Sequence, residues 1–191
     1  MIHYKKLIGK KLYLSPMSMD DVEKYTEWLN NFDISIFLLT STQIISPEGE
    51  KKFIEESIKN NSVVFDIVDM ETDKLIGNCG LMDIDHINRK AGFGIFIGDK
   101  TYQNKGYGTE AIRLILDYAF NLLNLHNIWL FVYSFNKRAI KCYEKVGFKL
   151  AGRRRESKLV SGKYYDEIYM DILDSEFESP YIKQKMIEIE G

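Results

Sequence analysis

The feature that most constrains this chain is a strand, a glycine-rich turn and a long helix that follow one another between Arg89 and Leu123. Ala91–Ile97 is apolar and aromatic enough for a buried strand, and Gln103–Gly108 (QNKGYG) follows it after a short polar link. Apolar residues then recur at helical spacing without a proline, at Ala111, Ile112, Ile115, Leu116, Ala119 and Leu122. This order predicts a strand that leads through a tight turn into an amphipathic helix.

A glycine-rich turn before a helix favours binding of a phosphate or pyrophosphate. Main-chain N–H groups and the positive end of the helix dipole meet there, and Gly106 and Gly108 would allow a ligand to approach closely. The Walker sequence is absent, because neither glycine is followed by Lys and Ser or Thr, and the Rossmann glycine spacing is absent as well. Glycines also end strands for structural reasons alone, so the turn by itself leaves both interpretations open.

Composition limits the class of protein. At 191 residues, with 45% hydrophobic and 13% aromatic residues, the chain is expected to form one compact domain over residues 1–191. A net charge of -2 gives no overall electrostatic footprint for nucleic acid, and the one dense basic cluster, Arg153–Arg155, is expected to be a solvated strand face.

Two cysteines without a C-x-x-C motif and three scattered histidines argue against a metal site and fit a reducing cytoplasm. No run is long enough for a signal peptide or a membrane span, so no membrane partner is expected.

Hydrophobic alternation and turn residues predict about seven strands. They are Lys11–Leu14, Val63–Val68, Leu75–Met82, Arg89–Ile97, His126–Tyr133, Lys149–Ser157 and Tyr164–Ile172. The second to fourth of these form an antiparallel meander through short polar connections. The crossover through the long helix places His126–Tyr133 parallel to Arg89–Ile97. The expected fold class is therefore α/β of the α+β type, with a single mixed, mostly antiparallel sheet and a parallel pair at its centre.

Helix caps and apolar stripes predict four helices, which are expected to cover both faces of the sheet. They begin at Ser18, Pro47, Gly108 and Asn136, and the second of them runs to about Asn60. In that second helix, Phe53, Ile54 and Ile58 are expected to face the core. Phe32–Ile45 lacks strong periodicity and is either a packed loop or a wall of a substrate site. Residues 177–191 are expected to form a short terminal helix or an appendage.

This order of elements resembles the GNAT superfamily of acyl-CoA-dependent N-acyltransferases, and two motifs are the basis of the likeness. Residues 103–108 are similar to the family's Q/R-x-x-G-x-G/A loop, whose main-chain amides hold the pyrophosphate of acetyl-CoA. Residues 136–148 (NKRAIKCYEKVGF) are similar to the family's N-x-x-A-I-x-x-Y-E-K-x-G-F segment. Residues 162–166 (GKYYD) are similar to the branch of ribosomal-protein alanine N-acetyltransferases and bacterial polyamine N-acetyltransferases.

The resemblance implies acetyl-CoA as the acetyl donor, no metal, and a set of site residues. The expected cofactor-binding residues are Phe96, Ile97, Gly98, Gln103, Asn104, Lys105, Gly106, Tyr107, Gly108, Thr109, Asn136 and Tyr143. Main-chain groups of Phe96–Gly98 are expected to be free where the two parallel strands diverge, and would bind the pantetheine arm like another strand. Tyr143 is the expected catalytic acid, which protonates the departing CoA thiolate. A tyrosine on an apolar helix face is otherwise a core residue whose hydroxyl finds some partner.

One position departs from the family pattern. Relatives that use a general base often have a glutamate in the strand before the loop, where this chain has Gly92. The substrate amine would then lose its proton to water, to a main-chain carbonyl or to another side chain. Asp83, Asp85 and His86 are candidates for such a side chain, although each is more simply explained as a solvated turn residue.

The expected function is acetyl-CoA-dependent acetylation of a primary amine by direct attack. The acceptor would be a polyamine, a peptide N-terminus or another small amine, and a homodimer is common in the resembling family. The alternative is a non-catalytic CoA-binding or small-molecule sensor domain. Gly92 favours the sensor, whereas Asn136 and Tyr143 favour the enzyme. A purely structural interaction protein would not be expected to keep both cofactor motifs.

Overall fold

The computed structural model describes residues 2–191, and eight strands within them form one sheet. The strands are β1 (Leu7–Ile8), β2 (Leu12–Pro16), β3 (Val64–Asp69), β4 (Leu75–Asp85), β5 (Lys90–Ile97), β6 (Asn127–Tyr133), β7 (Lys149–Val160) and β8 (Lys163–Leu173). Their order in the sheet is β1-β2-β3-β4-β5-β6-β8-β7, and β5 and β6 are parallel. The predicted mixed, mostly antiparallel sheet is confirmed. The strand that sequence analysis missed, β1, has only two residues, too few to show an alternating pattern.

Six helices of at least one turn lie within the described residues. They are α1 (Val22–Asn30), α2 (Phe32–Ser35), α3 (Pro47–Lys59), α4 (Tyr107–Asn121), α5 (Lys137–Val146) and α6 (Ile182–Glu190). Four of them correspond to the predicted helices. The predicted cap of α3 is confirmed, because the Ser46 hydroxyl accepts the N–H of Gly49 and Pro47 lies in the first turn. No helix in residues 2–191 is both long and apolar enough to cross a membrane.

The buried face of α3 differs from the prediction. Phe53 and Ile58 are about half exposed, at 49% and 48%, whereas Ile54 is fully buried. The other buried residues of this helix are Glu50 and Ser57, which lie four residues before and three residues after Ile54 on the same face. The predicted apolar stripe was wrong because the inner face of α3 contains one isoleucine between two polar residues. The spacing of apolar residues in the sequence therefore selected Phe53 and Ile58, which lie beside this face.

The chain divides into two compact units. One consists of residues up to Gly80 together with Ile95–Ala111, and the other of Leu81–Gly94 together with Ile112–Gly191. Strands β4 and β5 each contribute residues to both units, so neither unit is a continuous segment. The expectation that residues 1–191 form a single domain stays a prediction.

Three aromatic rings form the centre of the first unit. Tyr25 and Trp28 of α1 and Phe96 of β5 all pack edge to face, with ring centroids 5.8, 6.2 and 6.1 Å apart. Ile54 of α3 belongs to the same buried cluster. A Cβ atom on Gly98 would lie 2.2 Å from the Trp28 ring. The position of Trp28 therefore excludes a side chain at residue 98.

A buried polar network lies in the same unit. Asp66 of β3 is fully buried and accepts hydrogen bonds from the Tyr25 hydroxyl at 2.5 Å and from the Ser18 N–H at 3.2 Å. His3 Nε2 lies 3.0 Å from Asp21 Oδ2. Burial raises the pKa of Asp66 to about 8, although the hydrogen bond from Tyr25 opposes this shift.

This network also brings potential metal ligands together, which the scattered histidines of the sequence did not suggest. His3, Asp21 and Asp66 place one ligand atom each within 4.8 Å of one another, and they are the one such group among residues 2–191. The atoms are engaged in hydrogen bonds with one another, with Tyr25 and with Ser18. The group is therefore a hydrogen-bond network of the core.

The raised pKa of Asp66 predicts how stability depends on pH. The protonated carboxyl stabilises the fold below the unfolded pKa of about 3.9, and this contribution is lost as pH rises through about 8. Asp66→Asn supplies a neutral group of similar shape. Between about pH 5 and about pH 9 this variant should therefore lose less unfolding free energy than the wild type in urea denaturation. Asp20→Asn, at an exposed carboxylate, should follow the wild type. Equal slopes for Asp66→Asn and the wild type would mean that the folded protein holds Asp66 ionised.

Candidate active site

The loop between β5 and α4 changes direction at two residues with positive φ. Asn104 has φ of 60° and Gly106 has φ of 89°. Asparagine and glycine tolerate this region better than other residues do. The side-chain amide of Gln103 donates to the carbonyl of Ile97 at 2.9 Å, so the loop is tied to the end of β5.

The first turn of α4 directs main-chain N–H groups towards the loop. The Glu110 N–H donates to the Gly106 carbonyl at 3.1 Å and makes the first hydrogen bond of the helix. The N–H groups of Tyr107 and Gly108 precede it and lie at the positive end of the helix dipole. This is the arrangement that sequence analysis predicted for an anion site.

The two glycines of the loop differ in what the fold requires of them. Gly106 needs glycine because of its positive φ. Gly108 does not have a positive φ, and a Cβ atom on it would meet no other atom within 4 Å. The fold therefore gives no reason for glycine at position 108. A ligand that approached the main chain at this position would explain the glycine, because a side chain would block its approach.

Tyr107 is fixed by its side chain. Its hydroxyl donates to Asp69 Oδ1 at 2.7 Å, and its ring packs edge to face against Tyr102 with centroids 5.1 Å apart. The hydrogen bond to Asp69, together with burial, raises the pKa of Tyr107 to about 12. The side chain of Tyr107 is therefore held by Asp69 at the end of β3 and by Tyr102.

The end of β5 corrects one expectation. The Gly98 N–H donates to the Ile76 carbonyl of β4 at 2.9 Å, so it is not free to bind a pantetheine arm. The reason is that the chain stays close to β4 after β5 ends, and the Asp99 N–H reaches the same carbonyl at 3.2 Å. The Ile97 carbonyl accepts from Gln103 but has a second lone pair.

The parallel pairing between β5 and β6 is short. Lys90–Gly92 lie opposite Asn127–Trp129, and the paired register ends there. Beyond Trp129, β6 continues to pair with β8 as far as Tyr133. Strands β5 and β6 are thus hydrogen-bonded only near their N-terminal ends, which agrees with the predicted parallel pair that diverges.

Helix α5 places Tyr143 in the interior of the second unit. The predicted boundaries are confirmed, because the Asn136 side chain accepts an N–H of the first turn and Gly147 ends the helix with φ of 120°. The Tyr143 ring packs edge to face against Phe148 at 5.8 Å, and Phe148 stacks on Phe93 at 6.3 Å. The Tyr143 hydroxyl has no hydrogen-bond partner among residues 2–191. Burial raises its pKa well above the usual value, so it stays protonated at neutral pH.

A family model described as acetyltransferase (GNAT) domain matches residues 11–149. This chain belongs to the GNAT acetyltransferase family. It is an N-acetyltransferase that uses acetyl-CoA as acetyl donor, as sequence analysis predicted. The alternative of a non-catalytic sensor is not supported by these matches.

Two relatives define the similarity more closely. Spermidine N(1)-acetyltransferase of Vibrio cholerae is 35% identical over 133 residues, which cover 70% of this chain and 69% of that enzyme. The ribosomal N-acetyltransferase-like protein YdaF of Bacillus subtilis is 25% identical over 165 residues, 86% of each chain.

The structure of the V. cholerae spermidine N-acetyltransferase with CoA and spermine has a TM-score of 0.79 and 30% identity, and covers 88% of this chain and 98% of that chain. A dodecameric structure of the V. cholerae enzyme has a TM-score of 0.72 and 29% identity, and covers 87% of this chain and 96% of that chain.

Packing in this GNAT protein disfavours a glutamate at position 92. A Cβ atom on Gly92 would lie 2.8 Å from Met82 Cγ and 3.1 Å from the Trp129 ring, so a side chain at this position would require both neighbours to move. Among the alternatives, the Asp85 carboxylate accepts both the N–H and the side-chain amide of Asn88. These hydrogen bonds lower the pKa of Asp85 and organise the turn after β4. This favours the interpretation of Asp85 as a turn residue.

One face of the β6 and β8 pair is aromatic and acidic. Phe131 lies opposite Tyr169 and Tyr133 lies opposite Glu167, and the Phe131 and Tyr169 rings are 5.8 Å apart. Glu167 is only 9% exposed and accepts hydrogen bonds from the Tyr169 hydroxyl and from Arg154 Nη1, each at 3.1 Å. The alternating residues on the other face of these strands are the apolar core residues Ile128, Leu130, Val132, Met170 and Ile172.

Cations of the chain itself already lie on this face. The guanidinium of Arg154 lies 5.5 Å from the centroid of the Tyr169 ring, and Lys158 Nζ lies 5.0 Å from that of Tyr133. Both residues belong to β7. The rings of Tyr169 and Tyr133 thus already contact cations of the chain.

Sequence analysis missed the contact between the β1–β2 turn and α4. The Glu110 carboxylate accepts the N–H groups of Lys10 and Lys11, the latter at 3.0 Å. Lys11 Nζ donates to the carbonyl of Lys105 at 2.8 Å. A cleft of about 480 Å³ beside the loop is lined by Lys10, Lys11, Glu71, Lys105 and Tyr107. The only sequence signal is the pair of lysines, which resembles an ordinary solvated turn.

Gly108 allows ligand binding to be separated from folding. Gly108→Leu should leave the thermal midpoint unchanged or slightly higher, because the space is open and leucine is a better helix former by up to about 1 kcal/mol. CoA binding should weaken about tenfold or more, since the new side chain would occupy the approach to the helix start. Isothermal titration with CoA measures the change. Gly152→Leu, at another glycine with open space, is the matched control and should bind like the wild type. A folded Gly108→Leu with wild-type affinity would mean that the cofactor does not reach this turn.

Proposed function

We propose that this acetyltransferase acts on polyamines such as spermidine and that the aromatic and acidic face of β6 and β8 binds the acceptor. The observation that supports this most directly is Glu167, a nearly buried carboxylate framed by tyrosine and phenylalanine rings. Aromatic faces and carboxylates attract ammonium groups, and the attraction grows where water is excluded. The V. cholerae relatives, which are spermidine N-acetyltransferases, support the same class of acceptor.

Arg154 and Lys158 suggest how the acceptor binds. They occupy positions over Tyr169 and Tyr133 that ammonium groups of a polyamine would take. Both side chains come from the exposed strand β7, and the Arg154 side chain is 65% exposed. Exchange with a ligand therefore requires rotation of long side chains and leaves the sheet intact.

The reaction that we propose needs few side chains. The main chain of residues 103–109 binds the pyrophosphate, and the acceptor amine attacks the acetyl carbon of acetyl-CoA. A bond from nitrogen to the acetyl carbon forms, the bond from that carbon to sulfur breaks, and the thiolate takes the proton of Tyr143. Tyr143 then regains a proton from water, which has received the proton of the amine. The amine releases its proton to water, because Gly92 excludes a carboxylate from the position used in many relatives.

The role of Tyr143 can be tested with Tyr143→Phe. We expect kcat to fall about tenfold or more, because general acid catalysis contributes typically about 10²–10⁴-fold and a thiolate already leaves readily. CoA affinity and the thermal midpoint should hardly change, since the hydroxyl has no partner within residues 2–191 whose loss would destabilise the fold. Steady-state kinetics, titration and thermal unfolding give the three values. Unaltered kcat would make Tyr143 a core residue, and a large drop in thermal midpoint would give its hydroxyl a structural role.

The acceptor site can be tested with Glu167→Gln and spermidine. We expect KM for spermidine to rise about tenfold, because a hydrogen bond to a charged group contributes about 1.5–3 kcal/mol. KM for acetyl-CoA should stay the same. Glu178→Gln, at an exposed carboxylate, is the control. If Glu167→Gln lowers the thermal midpoint without changing KM, Glu167 only holds the β7–β8 hairpin. If the wild type acetylates N-terminal peptides and neither spermidine nor spermine, the polyamine proposal is wrong, although the family assignment stands.

We also propose that the protein works as a homo-oligomer in the cytoplasm. The dodecameric structure of the V. cholerae enzyme supports self-association, and the homodimer expected from sequence stays a prediction. A cytoplasmic location agrees with Cys79 and Cys142, which form no disulfide among residues 2–191. Light scattering on a gel-filtration column would measure the assembly.

A further inference from the structure

The cleft beside the loop combines three ammonium groups with one carboxylate. Lys10, Lys11 and Lys105 line it together with Glu71 and Tyr107. None of these three lysines forms an ion pair with a carboxylate in residues 2–191. Unpaired cations grouped around a concave surface favour an anionic ligand.

The turn that provides two of these lysines is held in place. Glu110 accepts the main-chain N–H groups of Lys10 and Lys11, so its carboxylate holds the backbone of the turn. A Cβ atom on Gly9 would lie 2.3 Å from Glu110 Oε1, so glycine at this position is what lets the carboxylate reach the turn. The Gly9 N–H closes the turn by donating to the Leu12 carbonyl at 2.9 Å. Lys10 and Lys11 are therefore held on a fixed backbone.

The lysines lie directly beside the proposed pyrophosphate loop. Lys11 Nζ donates to the Lys105 carbonyl at 2.8 Å and lies 3.6 Å from the position of a Cβ atom on Gly106. It is also 5.9 Å from the centroid of the Tyr107 ring. A ligand whose pyrophosphate lay against the loop would therefore have its neighbouring anionic group within reach of these ammonium groups.

We propose that the β1–β2 turn, through Lys10 and Lys11 together with Lys105, binds the 3′-phosphate of CoA. This inference rests on the proposed role of the loop in holding the pyrophosphate. The 3′-phosphate is a phosphate monoester on the ribose next to the pyrophosphate, and it carries up to two negative charges. Lysine ammonium groups bind such a group as point charges, without the paired geometry that arginine would require. The turn thus distinguishes CoA from its 3′-dephospho form.

The experiment compares CoA with 3′-dephospho-CoA by isothermal titration. The wild type should bind CoA about tenfold or more tightly than 3′-dephospho-CoA, and the difference should shrink as salt increases. In Lys10→Gln/Lys11→Gln the affinity for CoA should fall towards that for 3′-dephospho-CoA, with Lys105 keeping a small part of the preference, and the affinity for 3′-dephospho-CoA should itself stay at its wild-type value. Lys51→Gln/Lys52→Gln, at two exposed lysines of α3, is the matched control. Lys11→Arg should keep most of the preference, because it keeps the charge.

Each other outcome has a definite meaning. Equal binding of both compounds by the wild type would overturn the 3′-phosphate site while leaving the loop assignment intact. Equal weakening of both compounds in the double variant, with an unchanged thermal midpoint, would also overturn it, because the lysines would then act on the pyrophosphate or on the loop itself. Failure of the wild type to bind either compound would overturn the proposed cofactor loop and this inference with it.

Discussion

The hydrogen bond from Tyr107 to Asp69 fixes the start of α4 against the sheet, and the geometry of the proposed cofactor loop depends on it. Asp69 is itself oriented by Thr72, whose hydroxyl donates to it at 2.6 Å and whose N–H donates at 3.1 Å. The turn between β3 and β4 therefore supports the first turn of the helix. Glu110 ties the same turn of α4 to the β1–β2 hairpin from another side. A loop held at several points can keep its N–H groups aligned before any ligand arrives, so little ordering entropy would be lost on binding.

Features set by local sequence were predicted well. Ser46, Asn136 and Gly147 act within one helical turn of their own position, so their caps and stops follow from residue type. Features set by distant residues were not. The contact of Glu110 with Lys10 joins residues 100 positions apart, and nothing in either segment indicates the other. The buried face of α3 was missed for a related reason, because tertiary packing selected Glu50 over the more apolar alternatives.

The candidate site residues also differ in how far the sequence predicts them. The loop of residues 103–108 and the α5 motif were predicted from their resemblance to family motifs, and the structure shows which contacts their residues make. Gly98 illustrates the limit, because the bond of its N–H to Ile76 and the ring of Trp28 beside it depend on other strands and helices. At Gly92 the structure adds a reason that the sequence lacks. The sequence shows only that a carboxylate is missing, whereas the structure shows that Met82 and Trp129 occupy the space beside Gly92.

The positions of Arg154 and Lys158 over the tyrosine rings have a consequence for selectivity. A ligand at the proposed acceptor face would compete with cations that the enzyme supplies itself, at an effective concentration set by the short β7–β8 connection. A monovalent amine would displace one of them for little net gain. A molecule with several ammonium groups on one flexible backbone would displace both and add contacts of its own. The β7–β8 hairpin would therefore favour acceptors with at least two ammonium groups. The number of positive charges on an acceptor would then affect its binding more than its shape does.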